Sequence, residues 1–282
     1  MIDGDERGDR QLKEAIRQFS GRELEQRKHW YTPAAEAYDR ARPAYPPELI
    51  AKLVAMTDLS SQSKLLEVGC GPGTATRAFA PLNLEMVCLE PNPAFVQLAC
   101  HNCQPFSNVI IQHCSFEEWE LQPQAFDVVL AASSFHWIPA EIAYPKAADA
   151  LVENGSLILL WNKELQPSYE VFQHLSAVYA DYAPSLAKYE DEATQIEVSQ
   201  SLGRWVEESE HFTDVRLGYA ICEYTYSADR YLMLLNSYSP YIQLDPDVRE
   251  GLFVALREAI ERDFGGSLQL SNICAFHVAR KA

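Results

Sequence analysis

Nowhere does the chain hold an apolar run approaching the roughly 20 residues that a membrane-spanning helix needs, so no membrane partner is expected. Its opening, MIDGDERGDRQ, is charged and lacks the apolar core of a secretory leader, which argues against export. Basic residues are scarce: 23 Lys and Arg against 40 Asp and Glu give a formal net charge of -17. Such a field repels a phosphate backbone, and the basic residues of the first fifty positions are interleaved with acids, so nucleic acid is not an expected substrate. The cysteines are seven, an odd number scattered through 282 residues. That fits a reducing cytosol better than a disulfide framework, and a cytoplasmic location is the expectation. No Gly-Lys-Ser/Thr follows the glycine-rich stretch, which excludes a Walker-type phosphate loop. There is no internal repeat and no low-complexity linker.

What the chain does contain is an alternation. With 48% hydrophobic residues it can build a full core, as one large domain or one domain with an insertion. Residues 1–32 are polar, with Leu12, Ile16, Phe19 and Leu24 at near-helical spacing, and read as a helical arm. Two short helices are expected between Tyr31 and Met56, divided at RPAYPP (42–47). Apolar bursts then recur at SKLLEVGC (63–70), LEMVCLE (84–90), NVIIQHC (108–114), FDVVLAAS (126–133) and GSLILLWN (155–162). Helical patterns run after the glycines to about Ala80, through PAFVQLACHN, and around 140–151. Short apolar runs alternating with helices indicate strands buried on both faces of a parallel sheet, a doubly wound α/β fold. Residues 163–211 read as a helical, aromatic and acidic insertion. The alternating VRLGYAICEYTYS suits an edge strand, two helices follow it, and SNICAFHVARK closes the chain as a last strand. The expected division is an N-terminal arm and cap (1–56), a nucleotide-binding core (57–162), a helical lid (163–211) and the rest of the sheet (212–282).

The loop after the first burst, LLEVGCGPGTATRAF (65–79), departs from the dinucleotide fingerprint G-x-G-x-x-G. Gly69 and Gly71 fit it, but the third glycine comes one position early, at Gly73. Glu90 ends the second burst 19 residues after Gly71, where a carboxylate can accept hydrogen bonds from both ribose hydroxyls of an adenosine. That acid suits a nicotinamide dinucleotide and S-adenosylmethionine equally. Glu67, ahead of the glycines, separates them: it would repel a pyrophosphate but tolerates a ligand bearing an amino group and a sulfonium.

Taken in order, LLEVGCGPGTAT, VCLEPNPAFVQLA, CSFEEWEL, FDVVLAASSFHWI and NGSLILLWN resemble the class I S-adenosylmethionine-dependent methyltransferases. The likeness runs from about Tyr31 to Asn162 and more loosely to the C-terminus. AYDRARPAYPPEL and YLMLLNSYS bring it nearest to a small-molecule branch similar to trans-aconitate methyltransferase. The resemblance implies a seven-stranded sheet in the order 3-2-1-4-5-7-6 with an antiparallel last strand, covered by a helical insertion. It implies S-adenosylmethionine as cofactor and S-adenosylhomocysteine as product. Glu67, Gly69, Gly71 and Gly73 would meet the methionine half, Glu90 the ribose, and Pro91, Ser115 and Phe116 the adenine. Ala132 and Ser133 would flank the reacting sulfur, and Tyr38 and Arg42 would close over the cofactor.

The acceptor side is open to more readings. His136 and Trp137 follow the fourth strand at the sheet edge where ligands bind. His136 is a candidate general base or a donor to an acidic substrate, against a reading in which both residues only line the pocket. Arg42 can pair a carboxylate of cofactor or substrate, or Arg42-Pro43 can mark a helix boundary, and Tyr45 beside it is a candidate for the cover and the acceptor site. Tyr238 and Tyr241 are candidates for the acceptor site, with core packing the competing reading. C-x-x-C at Cys100 and Cys103 and the pair His113–Cys114 hint at zinc, but the first sits on a helix and the second points to opposite strand faces, so no metal is expected. The radical spacing C-x-x-x-C-x-x-C is absent. The expectation is a methyltransferase for a small molecule, one that could bear a carboxylate, acting as a monomer or homodimer. Rival readings are a nicotinamide-dependent oxidoreductase and a cofactor-binding protein without catalysis.

Overall fold

The apolar bursts become strands because each holds side chains for both faces of one sheet. In the computed structural model, which describes residues 2–282 apart from the side chains of residues 2–8, 11 and 15, these strands are β1 (Lys64–Val68), β2 (Glu85–Glu90), β3 (Val109–His113), β4 (Phe126–Ala132) and β5 (Leu151–Asn162). β6 (Phe212–Ser227) and β7 (Ser267–Lys281) complete the long strands. Most of the charged stretch MIDGDERGDRQ lies outside the described side chains. β1 pairs in parallel with β2 (Leu66 beside Val87) and β4 (Leu66 beside Val129), β2 with β3, and β4 with β5. β7 runs antiparallel to β5 (Ile158 beside Val278), and β6 antiparallel to β7 (Tyr219 beside Ala275). The order of the long strands is therefore 3-2-1-4-5-7-6, as the resemblance implies. A two-residue strand, Gln166–Pro167, pairs with β7 and brings the sheet to eight.

Twelve helices surround this sheet among the described residues: α1 (Ile2–Ser20), α2 (Leu24–His29), α3 (Ala35–Ala41), α4 (Pro47–Thr57), α5 (Thr76–Phe79), α6 (Pro93–Cys103), α7 (Ala140–Ala150), α8 (Tyr169–Tyr182), α9 (Glu192–Glu208), α10 (Ala228–Asn236), α11 (Ser239–Ile242) and α12 (Pro246–Phe264). Successive strand residues point to opposite faces, and two cores result. Leu66, Val68, Val129, Ala131 and Leu159 pack with Ala143 and Ala147 of α7 and with Leu202 and Val206 of α9. Leu65, Met86, Val128, Leu130 and Ile158 pack with Leu53 of α4 and Phe79 of α5 on the other face. Leu65 and Leu66 are fully buried, so trimming either to alanine would cost about 2–5 kcal/mol.

Residues 163–211 divide between two places. α9 lies on the sheet, whereas α8 joins α10, α11 and α12, from the far side of β6, in a third core with Leu175, Tyr179, Leu235, Leu252 and Ile260. The cap is thus built from two separate stretches of chain. The reason lies in β6: from Leu217 to Ser227 its even-numbered residues turn inward and its odd-numbered ones are exposed, including Leu217, Tyr219 and Ile221. It pairs only with β7 among the described residues, as an edge strand does, so the chain leaves and re-enters the sheet beside the cap.

Candidate active site

A cleft with about 1120 Å³ of empty space, open solvent included, runs along the carboxyl ends of β2, β1, β4 and β5. Its floor is the turn after β1. Gly69 and Gly71 adopt left-handed backbone angles, φ +67° and +57°, which β-carbons disfavour. A β-carbon at Gly69 would lie 2.7 Å from Cβ of Ser134, whereas none of the protein lies within 4 Å of the same position at Gly71. The chain therefore leaves space beside Gly71 for a ligand to approach the backbone. Gly73 does not line the cleft and turns instead against Cys103 Sγ.

Glu90 ends β2 with a buried carboxylate that accepts hydrogen bonds from the backbone N–H of Gly71 and of Asn92, both at 2.7 Å. A carboxylate has about four acceptor positions, so capacity for two ligand hydroxyls remains. Burial raises its pKa to about 7, against the lowering effect of the Asn92 and Gly71 N–H groups. Glu67 is fully buried and lies beneath the loop rather than in the cleft lining. Its Oε2 accepts from Thr76 Oγ1 at 2.6 Å, with Cys88 Sγ at 3.5 Å, while Oε1 has no hydrogen-bond partner among the described residues. Burial lifts this pKa to about 7 as well.

The far end is lined by Pro91, Ser115 and Phe116. Ser115 Oγ donates to Glu118 Oε2 and accepts from the Glu118 N–H, which fixes the turn, and Phe116 stacks on Trp119 with centroids 6.1 Å apart. At the near end Ala132 and Ser133 face the cleft. Ser133 holds φ +55°, a conformation that costs a non-glycine residue on the order of 1 kcal/mol. Tyr45 lines the cleft beside Ser133. Arg42 donates from Nε and Nη2 to Oγ and the carbonyl of Ser237, at 2.8 and 2.9 Å, and its guanidinium lies 4.0 Å from the ring centre of Tyr238 and 4.8 Å from that of Tyr38. These bonds leave Nη1 for a carboxylate in the cleft.

Of the remaining sequence candidates, Trp137 lines the cleft and His136 does not. A short 3-10 turn, Phe135–Trp137, sends the two side chains to opposite sides, and His136 faces a second cavity between α1, α7 and α9. Its Nδ1 is sealed without a partner among the described residues, and burial, with Lys163 adding to it, lowers its pKa to about 4. That is far below the range in which an imidazole serves as an efficient base at neutral pH. Tyr238 and Tyr241 sit in the cap core. The Tyr238 hydroxyl accepts from the Leu165 N–H at 3.0 Å, and the Tyr241 hydroxyl pairs with that of Tyr179 at 2.7 Å. Neither lines the cleft. On α6, Cys100 is exposed and Cys103 buried, and no group of three or more His, Cys, Asp or Glu is placed to hold a metal ion among the described residues.

Several lining residues carried no sequence signal. Arg27 of α2 donates from Nη1 to Glu117 Oε1 (2.6 Å) and to the Trp137 carbonyl (2.7 Å), strapping the arm across the cleft. Tyr31, Phe95 and Trp137 form an aromatic wall with Tyr38, Tyr31 lying 5.6 Å from Trp137 and 5.9 Å from Phe95. Asn92 and Asn162 complete the lining. Tyr38 and Trp137 were sequence candidates; for Tyr31 the only hint was the aromatic density of HWYTPAAEAYDRARPAYP (29–46).

Residues 65–155 match a family model described as a methyltransferase domain. An uncharacterized methyltransferase of Mycobacterium bovis is 31% identical over 129 residues, 46% of this chain and 50% of its own length. The chain thus spans about half the length of the curated relatives it matches. A proposed type II methyltransferase from Anaeromyxobacter dehalogenans superposes with a TM-score of 0.61 at 18% identity, covering 85% of this chain and 97% of its own. A phosphoethanolamine N-methyltransferase of Haemonchus contortus, in complex with phosphomonomethylethanolamine and S-adenosylhomocysteine, gives a TM-score of 0.51 at 14% identity, covering 91% of this chain and 58% of its own. The chain therefore carries a methyltransferase-domain match on its strand–loop–helix core, and its fold is the Rossmann-like one of these enzymes.

Proposed function

We propose that this protein is an S-adenosylmethionine-dependent methyltransferase acting on a small-molecule acceptor. The observation that carries the reading is the open face of Gly71 set against the carboxylate of Glu90: bare backbone and a hydroxyl-binding acid share one wall of the cleft. The residues present fit the cofactor. Glu90 would hold the ribose hydroxyls, and Pro91, Ser115 and Phe116 the adenine edge. The loop from Gly69 to Gly71 and Ala132 would border the methionine half, and Arg42 Nη1 would meet its carboxylate. Glu67 would act from below, its Oε2 holding Thr76 Oγ1 and so the end of the loop, rather than touching the ligand.

When bound, the cofactor supplies an electrophilic methyl group on a sulfonium. The protein's task is then alignment and exclusion of water. Tyr31, Trp137 and Phe95 wall the cleft with apolar surface, and the Arg27–Glu117 pair holds the arm across it. With His136 turned away and its pKa near 4, no base is assigned. A small acceptor is supported by the charge of -17, which disfavours nucleic acid.

Isothermal titration tests this reading. The protein should bind S-adenosylhomocysteine in one-to-one ratio and show no saturable binding of NADH; the opposite pattern returns the cleft to a dehydrogenase. Transfer of a deuterated methyl group from S-adenosylmethionine into a metabolite extract should then separate an enzyme from a cofactor-binding protein without catalysis.

A further inference from the structure

An edge strand presents a row of unpaired backbone N–H and C=O groups, and proteins blunt such edges with prolines, charges, bulges or shortness. The two edges of this sheet differ in that respect. β3 is short, and Ile110 is its one large exposed apolar side chain. β6 runs for 16 residues and pairs only with β7 among the described residues. Its protection lies at one end: a register shift between Thr213 and Arg216, and an exposed ion pair of Arg216 with Asp214 at 2.7 Å. From Leu217 to Ser227 the strand reads LGYAICEYTYS, with no proline, no Lys or Arg and a single acid, Glu223. On one face of this stretch Leu217, Tyr219 and Ile221 are 38%, 47% and 52% exposed.

Leu217–Ile221 runs large, small, aromatic, small, large in either direction, so it is complementary to itself. Residues opposite each other in an antiparallel pair share a face. A two-fold axis at Tyr219 would set Leu217 against the partner's Ile221, Tyr219 against its own counterpart, and Gly218 against the partner's Ala220. The same register keeps the two copies of Glu223 eight residues apart along the strands, about 27 Å, well beyond the screening length. That matters for a chain of formal charge -17. An acidic surface recruits a basic partner, whereas a stretch cleared of acids is where a second chain of the same charge can approach. Such a pairing is isologous, so it closes at two copies and does not grow into a fibre.

We propose that the outer edge of β6 joins two copies of this chain into a homodimer, the strands pairing antiparallel about a two-fold axis at Tyr219 so that the two sheets run on as one. The proposal is independent of what the cleft binds.

Sedimentation velocity over a concentration series tests it. The protein should sediment with twice the mass of one chain and dissociate on dilution. Tyr219→Lys removes the aromatic pair and sets two ammonium groups against each other at the axis, so it should weaken the dimer about tenfold or more with an unchanged circular dichroism spectrum. Ile110→Lys, on the other edge, should leave the dimer intact. Tyr219→Cys, in a Cys100→Ser background that removes the exposed thiol, should cross-link the two chains on oxidation. Residues paired at the axis have Cα atoms about 4.5–5.5 Å apart, within disulfide reach. This second variant keeps the proposal testable should the lysine variant fail to fold. A single-chain mass at every concentration, open-ended association, a dimer indifferent to Tyr219→Lys, or the absence of the cross-link overturns the proposal.

Discussion

The two ends of the cleft are made in different ways. The end nearest β1 and β2 is built from backbone and from residues close together in the chain: Gly69 to Gly71, then Glu90, 19 positions on, bonded to the N–H of Gly71 itself. The end beneath the cap is built from side chains that meet across long stretches of sequence. Arg42 is held by Ser237, 195 residues away, and Asn162 is anchored on Pro43, 119 residues away. A backbone cradle tolerates few substitutions but depends on little else. A side-chain cradle can be retuned one residue at a time, and it stands or falls with the cap.

The comparison breaks most sharply at Gly69. Gly69→Val places a branched side chain in a left-handed position and against Ser134, so S-adenosylhomocysteine affinity should fall by about 100-fold or more, with a stability loss of roughly 2–4 kcal/mol. Calorimetry and thermal melts measure both; near-normal affinity would mean that the turn relaxes and the cradle is not rigid.

At the other end, Arg42→Leu removes a charge from the cleft and leaves the Ser237 carbonyl and hydroxyl without their donor. We expect S-adenosylhomocysteine affinity to drop about tenfold and the cap to loosen, seen as faster amide exchange in α10 than in β1. Equal exchange in both would show that the cap does not depend on this residue.

Burial also sets the acidity at the end nearest β1 and β2. Glu67 and Glu90 have folded pKa values near 7, above the ordinary 4.5, because burial disfavours their charge. The folded state therefore holds protons that the unfolded chain has released, and stability declines as pH rises from about 4.5 to about 7, then levels. Glu67→Gln should flatten part of this decline and add at most about 3 kcal/mol at pH 8. Denaturant titrations at pH 5 and pH 8 test the sign; a variant that gains nothing at pH 8 contradicts it.

The smallest effect belongs to Tyr241. Tyr241→Phe removes one buried hydroxyl from the pair with Tyr179 and should cost about 1 kcal/mol, with S-adenosylhomocysteine affinity unchanged. A loss of affinity would bring the cap core into the binding site.

The alternation of strands and helices and the glycine turn were legible because both depend on local pattern: apolar bursts of strand length, and glycines where the chain reverses with positive φ. The strand order came only with the resemblance. Of the aromatic wall, Tyr38 and Trp137 were named from the sequence, and Tyr31 and Phe95 were not. Tyr31 and Arg27 look like residues of a polar arm, and only the folding of that arm across β3 and β4 turns them toward the cleft. His136 shows the opposite error of proximity. It neighbours Trp137 in sequence, yet one 3-10 turn puts the two on different sides, so the motif FHW joins residues that do not share a site. Tyr238 and Tyr241 keep the helical spacing of core residues, and the cap core is where they lie.

Sequence alone determined the alternating strands and helices, the early third glycine and the acid ending β2, since each follows from short-range backbone geometry and from which side chains avoid water. Tertiary structure alone decided which polar atoms are left without partners. Pairing is a property of the whole packed chain, and whether Asn162 Oδ1 is satisfied depends on where Pro43, Ser133 and Ser237 come to rest.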